Sequence, residues 1–160
     1  KQTAVALLAL DCDVIAQHVD TAMPQVAAEE AGKFGVGYNT DMTPAAPKAH
    51  LTAPIWHWSS VYIAQVQDVV DGKWLPNNYF LGLKEGMVDL SPLSDNVAEG
   101  TAEKIEAAKE KILSGDWDVF TGPIYNNAGD LVVEDGVALA DADITGGLMT
   151  TLLIKGVEVK

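Results

Sequence analysis

The chain has 160 residues, 48% of them hydrophobic and 21% charged, a balance that supports an ordinary globular core and excludes a disordered polypeptide. Its net charge is −13, with ten lysines and no arginine, so it lacks the basic surface needed for non-specific nucleic-acid binding or for adhesion to an anionic membrane. The longest apolar run falls short of the roughly 20 residues of a membrane helix, and a single cysteine, Cys12, excludes an internal disulfide or a thiolate-rich zinc site.

The opening "KQTAVALLALD" has the spacing of an amphipathic helix with no N-cap before it, as though entered partway. "DVIAQH", Asp13 to His18, predicts a buried strand. "DTAMPQVAAEEAGK" predicts a helix capped by Asp20 or Thr21 and stopped at Gly32, and "FGVGYN", Phe34 to Asn39, a second strand. This strand–helix–strand rhythm points to parallel pairing and an α/β fold. After the loop "TPAAPK", the stretch "AHLTAPI" is strand-like, with Pro54 marking an edge or a crossing. A helix is expected from Ser59, with Ser59 or Ser60 as its cap and Gly72 as its stop, then strand and turn in "YFLGLKEGMVDL". The strongest helix covers about Ala98 to Ser114, with Glu106 and Glu110 among Lys104, Lys109 and Lys111 on a solvated face. "WDVFTGPIY" predicts a strand, "NNAGD" a turn and "LVVEDG" a strand pairing back on it. The tail "LADADITGGLMTTLLIKGVEVK" carries no readable pattern, and no repeat or linker divides the chain.

Chemistry finds little support. His18, His50 and His57 are the only histidines and lack the spacing of a helical metal-binding pair. There is no nucleophile elbow, Walker loop or GxGxxG. The two glycines of "FGVGYN" are too weak a signal to count as one. Asp11, Asp13, Asp141 and Asp143 suit capping and solubility. The reading is therefore a non-enzyme with no metal and no cofactor.

In an open parallel sheet, ligands bind beyond the carboxyl ends of the strands. "AQHVD" places His18 and Asp20 at one such end, "GYNTD" places Tyr38, Asn39 and Asp41 at the next, and "PIWHW" places Trp56 and Trp58 at a third. Residues two apart on a strand share a face, so both tryptophans can line one wall, with packing in the core as the plainer explanation. Aromatic faces with a few short polar groups suit a flat polar heterocycle.

The ordered segments "DVIAQHVDT", "AAEEAG", "GYNTDM", "PKAHLTAPIWHW", "GLKEGMVDLSP", "EKIEAAKEKILSGDWDVFTGPI" and "GDLVV" resemble the basic membrane protein family, the substrate-binding components of ABC importers related to purine nucleoside receptors. The resemblance runs to about Asp143 and weakens from about Thr145. It implies a type I periplasmic-binding-protein fold, in which two α/β lobes joined by three hinge strands trap ligand between them. On this mapping residues 1–160 are the second lobe and hinge segments, with a mainly parallel sheet flanked by helices and the first lobe missing. Segments near Asn39 to Ile55 and Phe80 to Leu90 approach the hinge, and the helix Ser59 to Asp71 belongs on the missing lobe's side. The resemblance implies a periplasmic or cell-surface location, an ABC permease as partner, and membrane attachment only through a lipid anchor on the missing N-terminus, if any.

Two departures bear on the ligand. Nucleoside-binding relatives carry a "VDSD"-like stretch whose first Asp holds ribose. Asn39 stands there, with Asp41 at the second Asp, and Trp56 falls where those relatives have a Lys. An amide and an indole suit a free purine base such as adenine better than a nucleoside. A receptor for another small polar solute, an α/β enzyme and a non-binding structural fragment are the alternatives.

Overall fold

The computed structural model describes residues 1–126 and 128–145. They fall into two compact units, residues 1–106 and the described residues from 107 onward. The boundary lies inside a helix rather than in a linker.

The first unit opens with α1 (Gln2–Leu8), β1 (Val14–Ala16), α2 (Met23–Glu30) and β2 (Phe34–Val36). β1 and β2 pair in parallel, Ile15 opposite Gly35, and β3 (His50–Thr52) extends the sheet in parallel on the far side of β2. α1 and α2 pack against each other and against β1, and α2 also packs on β2. The contact is built from small side chains: Ala4, Ala27, Ala28, Ala46, Ala49 and Ala53 are buried with Ile15 and Met42. Small residues let backbones approach closely, so each neighbour's volume matters.

α2 is not capped as the sequence predicts. Its N-cap is Ala22, with Pro24 in the first turn, and Thr21 Oγ1 meets only the Met23 N–H, at 3.4 Å. Pro needs no N–H partner there, which lessens the demand for a side-chain cap. The stop is as expected. Gly32, at φ +66°, donates to Glu29 O, and Lys33 N–H donates back to Ala28 O. That is the Schellman arrangement, in which a left-handed residue satisfies the last carbonyls.

Pro54 marks the predicted crossing. β3 ends at Thr52, and β4 (Pro54–Trp56) leaves the parallel sheet to pair antiparallel with β5 (Val88–Leu90). Ser91 holds the junction. Its N–H donates to Ala53 O and its Oγ accepts from Ala53 N–H, while Thr52 Oγ1 donates to Ser91 O. α3 (Trp58–Val70) follows β4 directly. Its N-cap is His57, not a serine; Ser60 Oγ instead donates to His57 O. Gly72 closes α3 with the same Schellman pair used by α2. No residue of α3 is buried.

α4 (Thr101–Ser114) runs across the boundary between the units. The second unit continues with β6 (Ile124–Tyr125), β7 (Leu131–Val133) and α5 (Asp141–Thr145). β6 and β7 pair antiparallel about the turn, as the hairpin pattern predicts. "WDVFTGPIY" yields only the two-residue β6, because residues 117–122 turn back through Asp118, which accepts from Phe120 N–H at its carboxylate and from Thr121 at its carbonyl. Most of the tail lies outside the described residues.

Candidate functional site

The carboxyl ends of β1, β2 and β4 open into one cleft of about 480 Å³. Its walls are Tyr38, Trp56, Trp58, Tyr79 and Phe80, its floor includes Met87 and Val88, and its polar groups are those of Asp20 and Asn39. An adjoining hollow of about 310 Å³ shares Asp20, Tyr38 and Asn39 and reaches Asp41.

Each residue is placed by local structure. Asn39 follows β2 in the left-handed region, φ +71°, which asparagine tolerates better than most residues. Its N–H donates to Pro54 O, so β2's end is bound to the start of β4. Its Nδ2 donates to Asp20 Oδ1 at 3.0 Å, which joins the loops after β1 and β2 across the cleft floor. Tyr38 sits between two rings, His18 at 4.3 Å and Trp56 at 6.2 Å, both edge-on. Such contacts fix ring orientation while leaving a face for a ligand. Trp58 is the first residue of α3, 50% exposed, and stacks on Tyr62 with centroids 5.8 Å apart.

Six of the seven sequence-predicted site residues therefore meet at the cleft or its adjoining hollow. Trp56 and Trp58 line the same cleft, but Trp58 reaches it from a helix rather than along a strand face. His18 does not line it; it supports Tyr38 from behind. Asp41 lines only the adjoining hollow, where Oδ1 accepts from the Thr43 N–H at 2.9 Å and the Thr43 hydroxyl at 2.6 Å. Those bonds hold its carboxyl below the ordinary range, with the nearby His50 adding to the effect.

Sequence reasoning took Tyr79 and Phe80 as the start of a strand, but residues 73–82 form no helix or strand, and it missed the role of segment 74–81. Gln65, at the middle of α3, clamps it: Oε1 accepts from Trp74 Nε1 at 2.9 Å, and Nε2 donates to Tyr79 Oη at 2.8 Å. The clamp carries Tyr79 and Phe80 to the cleft wall. Its only sequence signal was the aromatic set "KWLPNNYF" lying outside any periodic pattern.

Among the described residues no group of three His, Cys, Asp or Glu is arranged to hold a metal ion. No described helix is long and apolar enough to cross a membrane.

The fold, a parallel α/β sheet flanked by helices, matches solved solute-binding proteins of ABC transporter systems. One from Aeropyrum pernix superposes with a TM-score of 0.61 at 18% identity, covering 93% of this chain and 46% of that one. A crystal structure described as a transcriptional activator of the comK gene from Bacillus halodurans gives 0.64 at 21% identity, covering 74% and 42%. At these identities the likeness is one of fold. In sequence, residues 1–120 match the Bmp family, described as ABC transporter substrate-binding protein PnrA-like, and the chain belongs to that family. A purine-binding protein of Brucella abortus is 32% identical over 143 residues, which is 89% of this chain and 41% of that protein. A Haloferax volcanii protein named for glucose binding in an ABC transporter is 30% identical over 130 residues, 81% and 33% of the two chains. The chain thus spans less than half the length of these relatives.

Proposed function

We propose that this chain forms the second lobe and hinge segments of an extracytoplasmic solute-binding protein that delivers a purine base, adenine-like, to an ABC permease. The carrying observation is the cleft's composition: five aromatic side chains, Tyr38, Trp56, Trp58, Tyr79 and Phe80, beside the polar side chains of Asp20 and Asn39. Asn39 Nδ2 gives one of its two N–H groups to Asp20 Oδ1, and the Asp20 carboxylate and the Asn39 amide oxygen keep further capacity to accept. Acceptors of that kind select a ligand with N–H groups along one edge, and flat aromatic walls select a flat ring. Adenine has both. A volume of about 480 Å³ lies within the range of small-molecule sites.

The Haloferax relative's name favours a second reading, a sugar. Sugars also stack on aromatic rings and donate hydroxyls to carboxylates. A sugar, however, presents hydroxyls around its whole rim, and five of the residues lining this cleft are aromatic, which suits a ring with two flat apolar faces better.

Adenine and unsubstituted purine should separate in a direct titration of the full-length protein. Loss of the exocyclic amino group removes a donor to a charged or amide acceptor, and binding should weaken about tenfold, since a hydrogen bond to a charged group is worth ~1.5–3 kcal/mol. Equal affinity for the two would remove the acceptor-edge reading.

A further inference from the structure

Behind the cleft lies a buried polar chain that the binding reading does not use. His50, on β3, and Gln25, on α2, are each 0% exposed. His50 Nδ1 lies 3.3 Å from Gln25 Oε1, and Gln25 Nε2 donates to Gln17 Oε1 at 3.0 Å. Gln17 Nε2 donates to the carbonyls of Val19 and Thr21, at 3.0 and 2.8 Å. Those two carbonyls bracket Asp20.

The directions of these bonds are forced. Carbonyls only accept, so the Gln17 amide nitrogen must face them and its oxygen must accept from Gln25. The Gln25 oxygen then faces His50, and only an Nδ1–H can serve it. Neutral His50 is therefore the Nδ1–H tautomer, with the Nε2 lone pair inward. That Nε2 has no hydrogen-bond partner and sits 3.4 Å from Asp41 Oδ1. Asp41 is the charged group facing the ring. The partners from the other packed segments, Gln25 on α2 and Ser94 and Asn96, which donate to the His50 carbonyl, are uncharged.

The two glycines of "FGVGYN" make room for this chain. A Cβ on Gly35 would lie 2.6 Å from the Gln25 amide atoms, and one on Gly37 would lie 3.0 Å from His50 Cε1. Neither glycine has a positive φ, so the requirement is space, not conformation.

We propose that His50 is a positioning residue for the cleft: through Gln25 and Gln17 it fixes the loop that carries Asp20, and it does so with a protonated Nδ1. The effect on affinity rests on the cleft being the ligand site; the tautomer and the loop's order do not.

Nitrogen-15 histidine NMR on the full-length protein at pH 7.5, with His50 assigned by the loss of its signals in His50→Asn, tests the tautomer. Protonated Nδ1 with bare Nε2 is expected. An Nε2–H tautomer, which leaves Nδ1 bare, overturns the proposal. Backbone order parameters at Val19–Thr21 test the positioning. They should fall from about 0.85 to below about 0.6 in Gln25→Leu and in Gly35→Ala, which displaces the Gln25 amide without touching the cleft. His50→Asn, whose amide nitrogen can take the place of Nδ1, should keep them high, and His50→Leu should not. Unchanged order in both Gln25→Leu and Gly35→Ala, with helical circular dichroism retained, overturns the positioning role. If wild type shows the tautomer and the order but ignores adenine, the purine reading falls and the relay stands.

Discussion

Asn39 and His50 set the chemistry of the cleft at the level of single side chains. A carboxylate at position 39 suits the same backbone conformation, since Asp tolerates positive φ. It would, however, lie where Asn39 Nδ2 now sits 3.0 Å from Asp20 Oδ1. Two carboxylates that close cannot both ionise freely, and one must titrate above its ordinary range. Asn39→Asp should therefore weaken adenine binding about tenfold at pH 7.5 and recover part of it at pH 5, as read by titration at both values. A pH-independent loss would show that the two side chains do not share the site. The resemblance marks position 39 as the place of a ribose-holding Asp in nucleoside-binding relatives; the Asp20 contact adds a repulsion that no spacing reveals. For His50, burial pushes the ring below its usual value against the smaller opposing pull of Asp41. The unfolded chain then binds a proton that the folded chain resists, so stability is full above about pH 6.5 and falls as pH drops toward the lowered value. Denaturant unfolding at pH 7.5 and 5.5 should show a larger loss in wild type than in His50→Asn. Asp41, held low chiefly by Thr43, acts in a separate and more acidic window. Its contribution is present above its ordinary pKa of about 3.9 and is lost as pH falls below that.

Among the elements, the regular ones were legible and the segment between α3 and β5 was not. β1, α2 and β2 follow from apolar runs, an alanine-rich helix and Gly32. The β3–β4 crossing follows from Pro54, which cannot donate within a continuing ladder. Helix starts failed twice, at Ala22 and His57, because backbone packing and Pro24 did the work expected of Asp20, Thr21, Ser59 or Ser60. Tyr79 and Phe80 were unreadable as site residues because a side chain distant in sequence, Gln65, decides where they lie. His18 read as a ligand group because it follows β1, but its ring packs edge-on against Tyr38 and is not among the residues lining the cleft. Gln65→Leu should release segment 74–81. Ligand dissociation should quicken and affinity fall severalfold, while unfolding free energy changes by less than about 0.5 kcal/mol, as for most surface substitutions. Stopped-flow release and denaturant titration would separate the two. A stability loss without a change in release would make the Gln65 clamp purely structural.

At the scale of the whole molecule, the feature that asks for a partner is α3. Tyr62, Ile63, Val66, Val69 and Val70 are all more than 60% exposed along a helix with no buried residue. On the proposed two-lobe arrangement this apolar surface belongs to the side of the other lobe. In the full-length protein, Val66→Lys should then lower the thermal midpoint by several degrees, because a charge would be placed in a packed interface. An unchanged midpoint would make α3 a free surface and remove support for the domain assignment. The central claim, that the cleft reads a flat ring by stacking and a donor edge by Asp20 and Asn39, is tested most directly by calorimetric titration of the full-length protein with adenine, adenosine and glucose in parallel, repeated with Trp56→Ala. The account predicts that adenine binds at least as tightly as adenosine, that glucose gives no saturable heat, and that Trp56→Ala weakens adenine by about tenfold or more, base stacking on an aromatic ring being worth ~1–3 kcal/mol. Saturable glucose binding without adenine binding, or adenine affinity indifferent to Trp56→Ala, would contradict it.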